Sequence, residues 1–265
     1  MSEPHRQVRI LVLGSGTSVG VPMVGCHCRV CTSDDPRDKR LRPSILINYA
    51  GRNVVIDTTP DFRAQALRAG IEKLDAILFT HGHADHLLGL DDVRPINMRL
   101  GLTIPVYGSA ETLAAVERCF PYAFDGQQKE SSTPQLELHE LNGAPFDLFG
   151  LRFEPVRVMH GKMPIYGYRF ARAAYITDQS EIPEEPLDKL RGLKVLFLDA
   201  LRRRPHPTHT TIERALEYVQ MLAPERAYFT HICHDLAHEE TERTLPPHVR
   251  LAYDGLEIIL EEAEP

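Results

Sequence analysis

Residues 79–92 read FTHGHADHLLGLDD and begin on the last two residues of the apolar β-type run DAILFT (75–80). His81, His83, Asp85 and His86 fall there in the pattern H-x-H-x-D-H. In an extended or turning backbone, side chains two apart point the same way, so His81 and His83 can close on one point. Asp85 and His86 can reach a second point close by. Two imidazoles for one ion, with a carboxylate and an imidazole for another, begin two neighbouring metal sites. Gly82 and Ala84 leave room for ions and substrate. The alternative is a set of unrelated surface groups, but four ligand-type residues at this spacing are rare by accident. Strand ends are also where open sites form in layered α/β folds.

Two sites need more ligands than one segment offers, and later strand ends supply them. VRVMH closes on His160, AAYITD on Asp178 and RAYFTH on His231, each a ligand type ending an apolar run. The reading is a first triad of His81, His83 and His160. Asp85, His86 and His231 form the second, with Asp178 bridging both ions. Taken singly, each of the three later residues would pass as a hydrogen-bonded strand end.

Five cysteines are present, and three of them stand in GCHCRVC (25–31) as C-x-C-x2-C. An odd number so crowded argues against a disulfide framework and for metal ligation. Cys26, Cys28 and Cys31 suit a tetrahedral zinc that lacks one ligand, and His234 of THICHDL supplies it, a closed structural site. The zinc loop is thus 25–32, closed by His234. His27 is read as outward-facing, and Cys119 and Cys233 as packed thiols.

In RPHPTHTTIERAL (204–216), His209 and Thr211 form H-x-T at the start of a helix, where anions are favoured. His209 is the candidate catalytic residue, with Asp85 beside the ions. His206, between Pro205 and Pro207, competes and ranks below it. Arg202, Arg203 and Arg204 read as a solvated face, with a phosphate clamp as the alternative. Gly14-Ser-Gly16 follows a strand, but Val19 stands where the third glycine of a dinucleotide fingerprint belongs, so a tight turn is expected instead.

Outward from these motifs, short strands recur: 8–13, 44–49, 53–57, 75–80, 103–108, 151–160, 166–171, 173–178, 194–199, 226–231 and 256–260. Helical patterns fall at 61–70, 109–120, 210–223 and 235–245. Ile212, Ala215, Leu216 and Val219 make one apolar stripe. Residues 91–97 are expected to fold back near the motif, and 125–135 to form a polar, mobile loop. The order of elements favours layered sheets flanked by helices, with 1–265 as a single domain. The balance of 30 Lys+Arg against 37 Asp+Glu gives a net charge of −7, which speaks against a nucleic-acid polymer as partner. No membrane span is expected. MSEPHRQVRI has no apolar signal region, so a cytoplasmic location is expected.

H-G-H-A-D-H at 81–86, with His160, Asp178 and His231 at later strand ends, resembles the metallo-β-lactamase superfamily of hydrolases. The resemblance implies an α/β fold, an αββα sandwich with a dinuclear cleft at one edge. LGSGTSVGVPMVGCHCRVC (13–31), YITDQSEIP (175–183) and HPTHTTIERAL (206–216) narrow it to the PhnP-type family of phosphoribosyl cyclic phosphate phosphodiesterases of phosphonate metabolism. That implies hydrolysis of small phosphodiesters, either phosphoribosyl cyclic phosphates or 2′,3′-cyclic nucleotides. The cofactors implied are two divalent ions, manganese or zinc, beside the structural zinc. A hydroxide held between the ions would attack phosphorus, with His209 protonating the leaving alkoxide or holding the phosphate. Two alternatives share parts of the pattern: a cofactor-handling protein of the pyrroloquinoline quinone type, and a tRNA 3′-processing nuclease. A homodimer is a permitted assembly.

Overall fold

The computed structural model describes residues 7–127 and 132–261. Residues 128–131 of the polar stretch 125–135, and the first six of the N-terminal stretch read above, lie outside the described residues. The first sheet takes β1 (Gln7–Gly14), β2 (Ser44–Tyr49), β3 (Arg52–Ile56), β4 (Ala76–Leu78), β5 (Ile104–Gly108) and β6 (Leu136–Glu140). The second takes β7 (Phe146–Leu148), β8 (Leu151–His160), β9 (Met163–Phe170), β10 (Ala173–Ile176), β11 (Val195–Asp199), β12 (Arg226–Thr230) and β13 (Val249–Leu251). β14 (Glu257–Glu261) returns to the first sheet beside β1, giving the orders β14-β1-β2-β3-β4-β5-β6 and β13-β12-β11-β10-β9-β8-β7.

Alternation along β1 explains the layering. Val8, Ile10 and Val12 point into a core between the sheets, where they join Ile45, Ile47, Phe153, Tyr168 and Phe197. Leu13 points the other way, into a core with Phe62 of α1 (Phe62–Ala69) and Leu113 and Val116 of α4 (Ala110–Cys119). Between those helices come α2 (Ala84–Leu87) and α3 (Arg94–Leu100), the latter formed within the segment expected to fold back, with Ile96 buried. The outer face of the second sheet is covered by α6 (Ile212–Leu222) through Ile212, Ala215, Tyr218, Val219 and Leu222, and flanked by α5 (Glu184–Asp188). β11 is buried along its whole length because both of its faces are covered, which is why VLFLD reads as an unbroken apolar run. The result is the αββα sandwich. No helix among the described residues is long and apolar enough to cross a membrane.

β3 to β6 run parallel, as do β10 to β13. Their carboxyl ends deliver Asp57, His81, Asp178, Asp199 and His231 to one edge of the sandwich. Asp57, Asp178 and His231 all leave their strands with positive φ, at 65°, 59° and 59°. Such left-handed turns are uncommon and costly for residues with a Cβ, and they cluster where a site must be formed.

Several expectations shift. β6, β7 and β13 went unread because they are short edge strands, and β6 and β7 alternate only weakly. The helix expected over 235–245 shrinks to α7 (His238–Glu242), since the preceding residues close the loop that carries His234. Gly14 and Gly16 do not make a tight turn. A Cβ on Gly14 would lie 1.9 Å from the Arg42 carbonyl oxygen, and one on Gly16 would lie 2.7 Å from that of Arg40. Close approach of two backbones excludes side chains there. Cys119 is exposed rather than packed, while Cys233 is buried as expected.

Arg40 is the largest fully buried side chain. It donates to Asp38 Oδ1 at 2.9 Å, to the carbonyls of Cys233 and Leu236 at 3.1 and 2.9 Å, and to Arg37 O at 3.2 Å. It therefore ties the N-terminal loop to the segment between His231 and His238. Arg40→Ala is expected to cost about 3 kcal/mol, because it takes the cation from a buried carboxylate and the donors from three carbonyls. Chemical denaturation should show a lower midpoint.

Candidate metal centre

His81 and His83 leave β4, and His160 ends β8. One ring nitrogen from each lies within 4.8 Å of the others. Asp85, His86, Asp178 and His231 form a second set within the same limit, so the structure brings all seven residues read from the sequence to one hollow. Asp178 Oδ2 stands 3.2 Å from His86 Nε2, and Oδ1 stands 3.1 Å from His231 Nε2. Asp178 also groups with His160 and His209, which puts it in reach of both halves. Thr177 Oγ1 donates to Asp178 Oδ2 at 2.6 Å and fixes the carboxylate.

The chemistry of this donor set fits cations. His81 Nε2, His86 Nε2 and both ring nitrogens of His231 are buried without a hydrogen-bond partner. Each such orphan costs about 1–3 kcal/mol unless something absent from the polypeptide satisfies it. Burial lowers His81, His83 and His160 from their ordinary values, leaving them as the neutral imidazoles that ligate metals. Burial opposes charge on His86, but Asp178, Asp85 and Asp57 outweigh it and raise His86 well above the usual range. Asp85 and Asp178 are held below the usual carboxylate range despite burial, by His86 and His231. The hollow thus concentrates negative charge around one imidazolium, and a bound cation would take over that proton's part.

Two buried carboxylates escaped the sequence reading. Asp57 accepts from Thr80 N and Oγ1 at 2.9 and 2.8 Å and lies 2.7 Å from His86 Nδ1, fixing which nitrogen of His86 faces the hollow. Asp199 Oδ2 lies 2.8 Å from His209 Nδ1. NVVID and KVLFLD end in aspartate just as AAYITD does, so the signal that found Asp178 was present for both. Burial pushes the Asp199 carboxyl well above its ordinary range and lowers His209. Both shifts favour a pair without net charge, with one proton in the bond between them and another on His209 Nε2.

His209 is nearly buried. Its ring stacks on His231 at 4.5 Å between centroids and lies 4.9 Å from that of His160. Thr211, the other half of H-x-T, caps α6 by accepting from Arg214 N at 3.2 Å. The arginine run is committed elsewhere. Arg202 donates to the carbonyls of Arg204 and Pro205, Arg203 to Glu213 and Thr244, and Arg204 to Asp235.

The cysteine cluster also assembles. His234 Nδ1 lies 3.2, 3.4 and 3.6 Å from the sulfurs of Cys26, Cys28 and Cys31. A tetrahedral ion with Zn–S of about 2.3 Å and Zn–N of about 2.0–2.1 Å would separate sulfur from nitrogen by about 3.5 Å, so these four residues fit zinc. The Cys31 N–H aimed at Cys28 Sγ helps lower that thiol to about 6, toward the thiolate that binds metal. His27 is exposed, as expected.

An αββα sandwich with this hollow defines a class. The model of the beta-lactamase superfamily domain matches residues 52–232, and the chain belongs to that superfamily, with the metallo-β-lactamase fold. Within the superfamily it is of the PhnP type. The crystal structure of a new diphosphatase from the PhnP family is 51% identical, with a TM-score of 0.92, over 97% of this chain and 99% of that one. An octanoyltransferase of Porphyromonas gingivalis is 44% identical over 259 residues, which are 96% of this chain and 52% of that protein. The chain therefore spans about half the length of that curated relative. The zinc-bound PqqB of Methylobacterium extorquens shares the fold, with a TM-score of 0.76 at 21% identity over 94% of this chain and 99% of that one.

Proposed function

We propose that this chain hydrolyses small substrates whose scissile phosphorus carries two bridging oxygens, either phosphodiesters or diphosphates. The observation that carries the reading is the Asp199–His209 pair, set beside a hollow with ligands for two cations. Two divalent ions, manganese or zinc, would neutralise charge on the phosphate and acidify water enough to supply a nucleophile near neutral pH. His81, His83 and His160 would hold one ion and Asp85, His86 and His231 the other, with Asp178 shared between them. His209 Nε2 offers a proton to the departing oxygen, and Asp199 fixes its ring and balances the charge that follows.

Two substrates within this class have support. The 51%-identical neighbour is described as a diphosphatase, which favours a P–O–P linkage. The motif resemblance favours a cyclic phosphodiester of phosphonate metabolism or a 2′,3′-cyclic nucleotide, handled in the cytoplasm. The net charge of −7 supports a small substrate over a nucleic-acid polymer. His209 speaks against a binding role without turnover.

Manganese- or zinc-loaded protein should hydrolyse at least one of bis(p-nitrophenyl) phosphate, a 2′,3′-cyclic nucleotide and diadenosine diphosphate. Failure on all three would sink the reading. His209→Ala should lower kcat roughly 10²–10⁴-fold with metal content kept. If metal is lost instead, His209 is a ligand.

A further inference from the structure

The loop between β11 and α6 is closed and stiff. Its ends pair through Leu201 N to Thr210 O at 3.0 Å and Ile212 N to Arg202 O at 3.1 Å. Pro205 and Pro207 fix φ on either side of His206, and the Arg202 guanidinium holds the carbonyls of Arg204 and Pro205. The loop is also registered to the hollow, since the Thr208 carbonyl accepts from His160 Nδ1 at 2.9 Å. Of the two histidines in this loop, His209 serves the proposed reaction and His206 does not. Its ring lies 4.9 Å from that of His209, tilted by 47°, at the half-buried rim of the site.

The hydrogen bonds settle which nitrogen of His206 is free. Thr208 N points at His206 Nδ1 from 3.4 Å, and a backbone N–H can only donate; Thr208 Oγ1 stands 3.2 Å from the same nitrogen. Nδ1 is therefore an acceptor, and the neutral ring carries its proton on Nε2. His206 is a fixed donor that needs no positive charge to bind an anion. Two imidazoles side by side, one stacked on His231 and one at the rim, match two neighbouring phosphoryl groups rather than one.

Resting on the proposed function, we infer that His206 is a specificity-determining residue that donates to the second phosphoryl group of a diphosphate substrate. The test compares wild type, His206→Ala and His206→Gln on diadenosine diphosphate and on bis(p-nitrophenyl) phosphate, which lacks a second phosphorus. Binding of inorganic diphosphate is followed in parallel by calorimetry, with metal content checked before and after. For diadenosine diphosphate, His206→Ala should raise KM roughly 10–100-fold, the worth of one hydrogen bond to a charged group, with kcat within about threefold. His206→Gln, which restores an N–H donor, should recover part of the loss. The penalty should be several-fold smaller on bis(p-nitrophenyl) phosphate, and inorganic diphosphate should bind more weakly to the alanine variant. Equal penalties on both substrates, or unchanged diphosphate binding, would overturn the inference. If wild type turns over no substrate, the proposed function fails, and calorimetry still decides the role of His206.

Discussion

Asp178→Asn is expected to lower turnover by about three orders of magnitude or more while the protein stays folded. The substitution keeps volume and shape and removes the charge that both halves of the hollow share. Asp178 sits at φ 59°, a conformation that asparagine adopts more readily than most residues with a Cβ, so the loss can be assigned to charge. Its oxygens stand 3.2 and 3.1 Å from His86 and His231. Without the carboxylate, two imidazoles lose the anion that faces them, and under the proposed function two cations would lose the ligand they share. Charge stabilisation of a phosphoryl transition state is worth several kcal/mol, and about 4 kcal/mol is a thousandfold in rate. Hydrolysis of bis(p-nitrophenyl) phosphate by metal-replete protein, with metal content and a melting curve on the same sample, is the measurement. Near-normal activity would remove Asp178 from the site.

Cys28→Ser is expected to act on stability first. The three cysteine sulfurs and His234 join residues 26–31 to a segment more than 200 positions away. That segment runs from His231 to His238, and Arg40 braces it from the other side. Zinc closing such a contact contributes folding free energy directly. Losing it should cost about 5 kcal/mol or more, and each kcal/mol moves Tm by roughly 2–4 °C in a protein of this size. The melting temperature should fall by more than about 10 °C, and bound zinc should drop by one equivalent. An unchanged melting curve with unchanged zinc would refute the structural site.

How much could be read before folding is clearest from the aspartates. Asp57, Asp178 and Asp199 each close an apolar strand, so one-dimensional pattern marks all three equally. Asp178 faces the hollow, Asp57 backs His86 and Asp199 backs His209. Which does which depends on the neighbours that the parallel strands bring alongside, and spacing carries no record of that. Thr211 makes the same point, since H-x-T marks a pair of residues but only the histidine reaches the site while the threonine caps a helix. On sequence His206 ranks below His209, since it stands between Pro205 and Pro207 while His209 stands in H-x-T. The hydrogen bond from Thr208 is what sets its tautomer apart.

The amino-acid string by itself determined the β-type runs, the histidines and aspartates at their ends and the four residues of the cysteine cluster. It could do so because strand burial and local ligand spacing are written in short-range pattern. Only the tertiary structure decided that these ends share one edge, that Asp57 and Asp199 stand against the Nδ1 atoms of His86 and His209, and that the arginine run bonds to its own chain. Those outcomes rest on distances between residues far apart in sequence, set by sheet order and by the packing of three apolar layers, which no local pattern encodes.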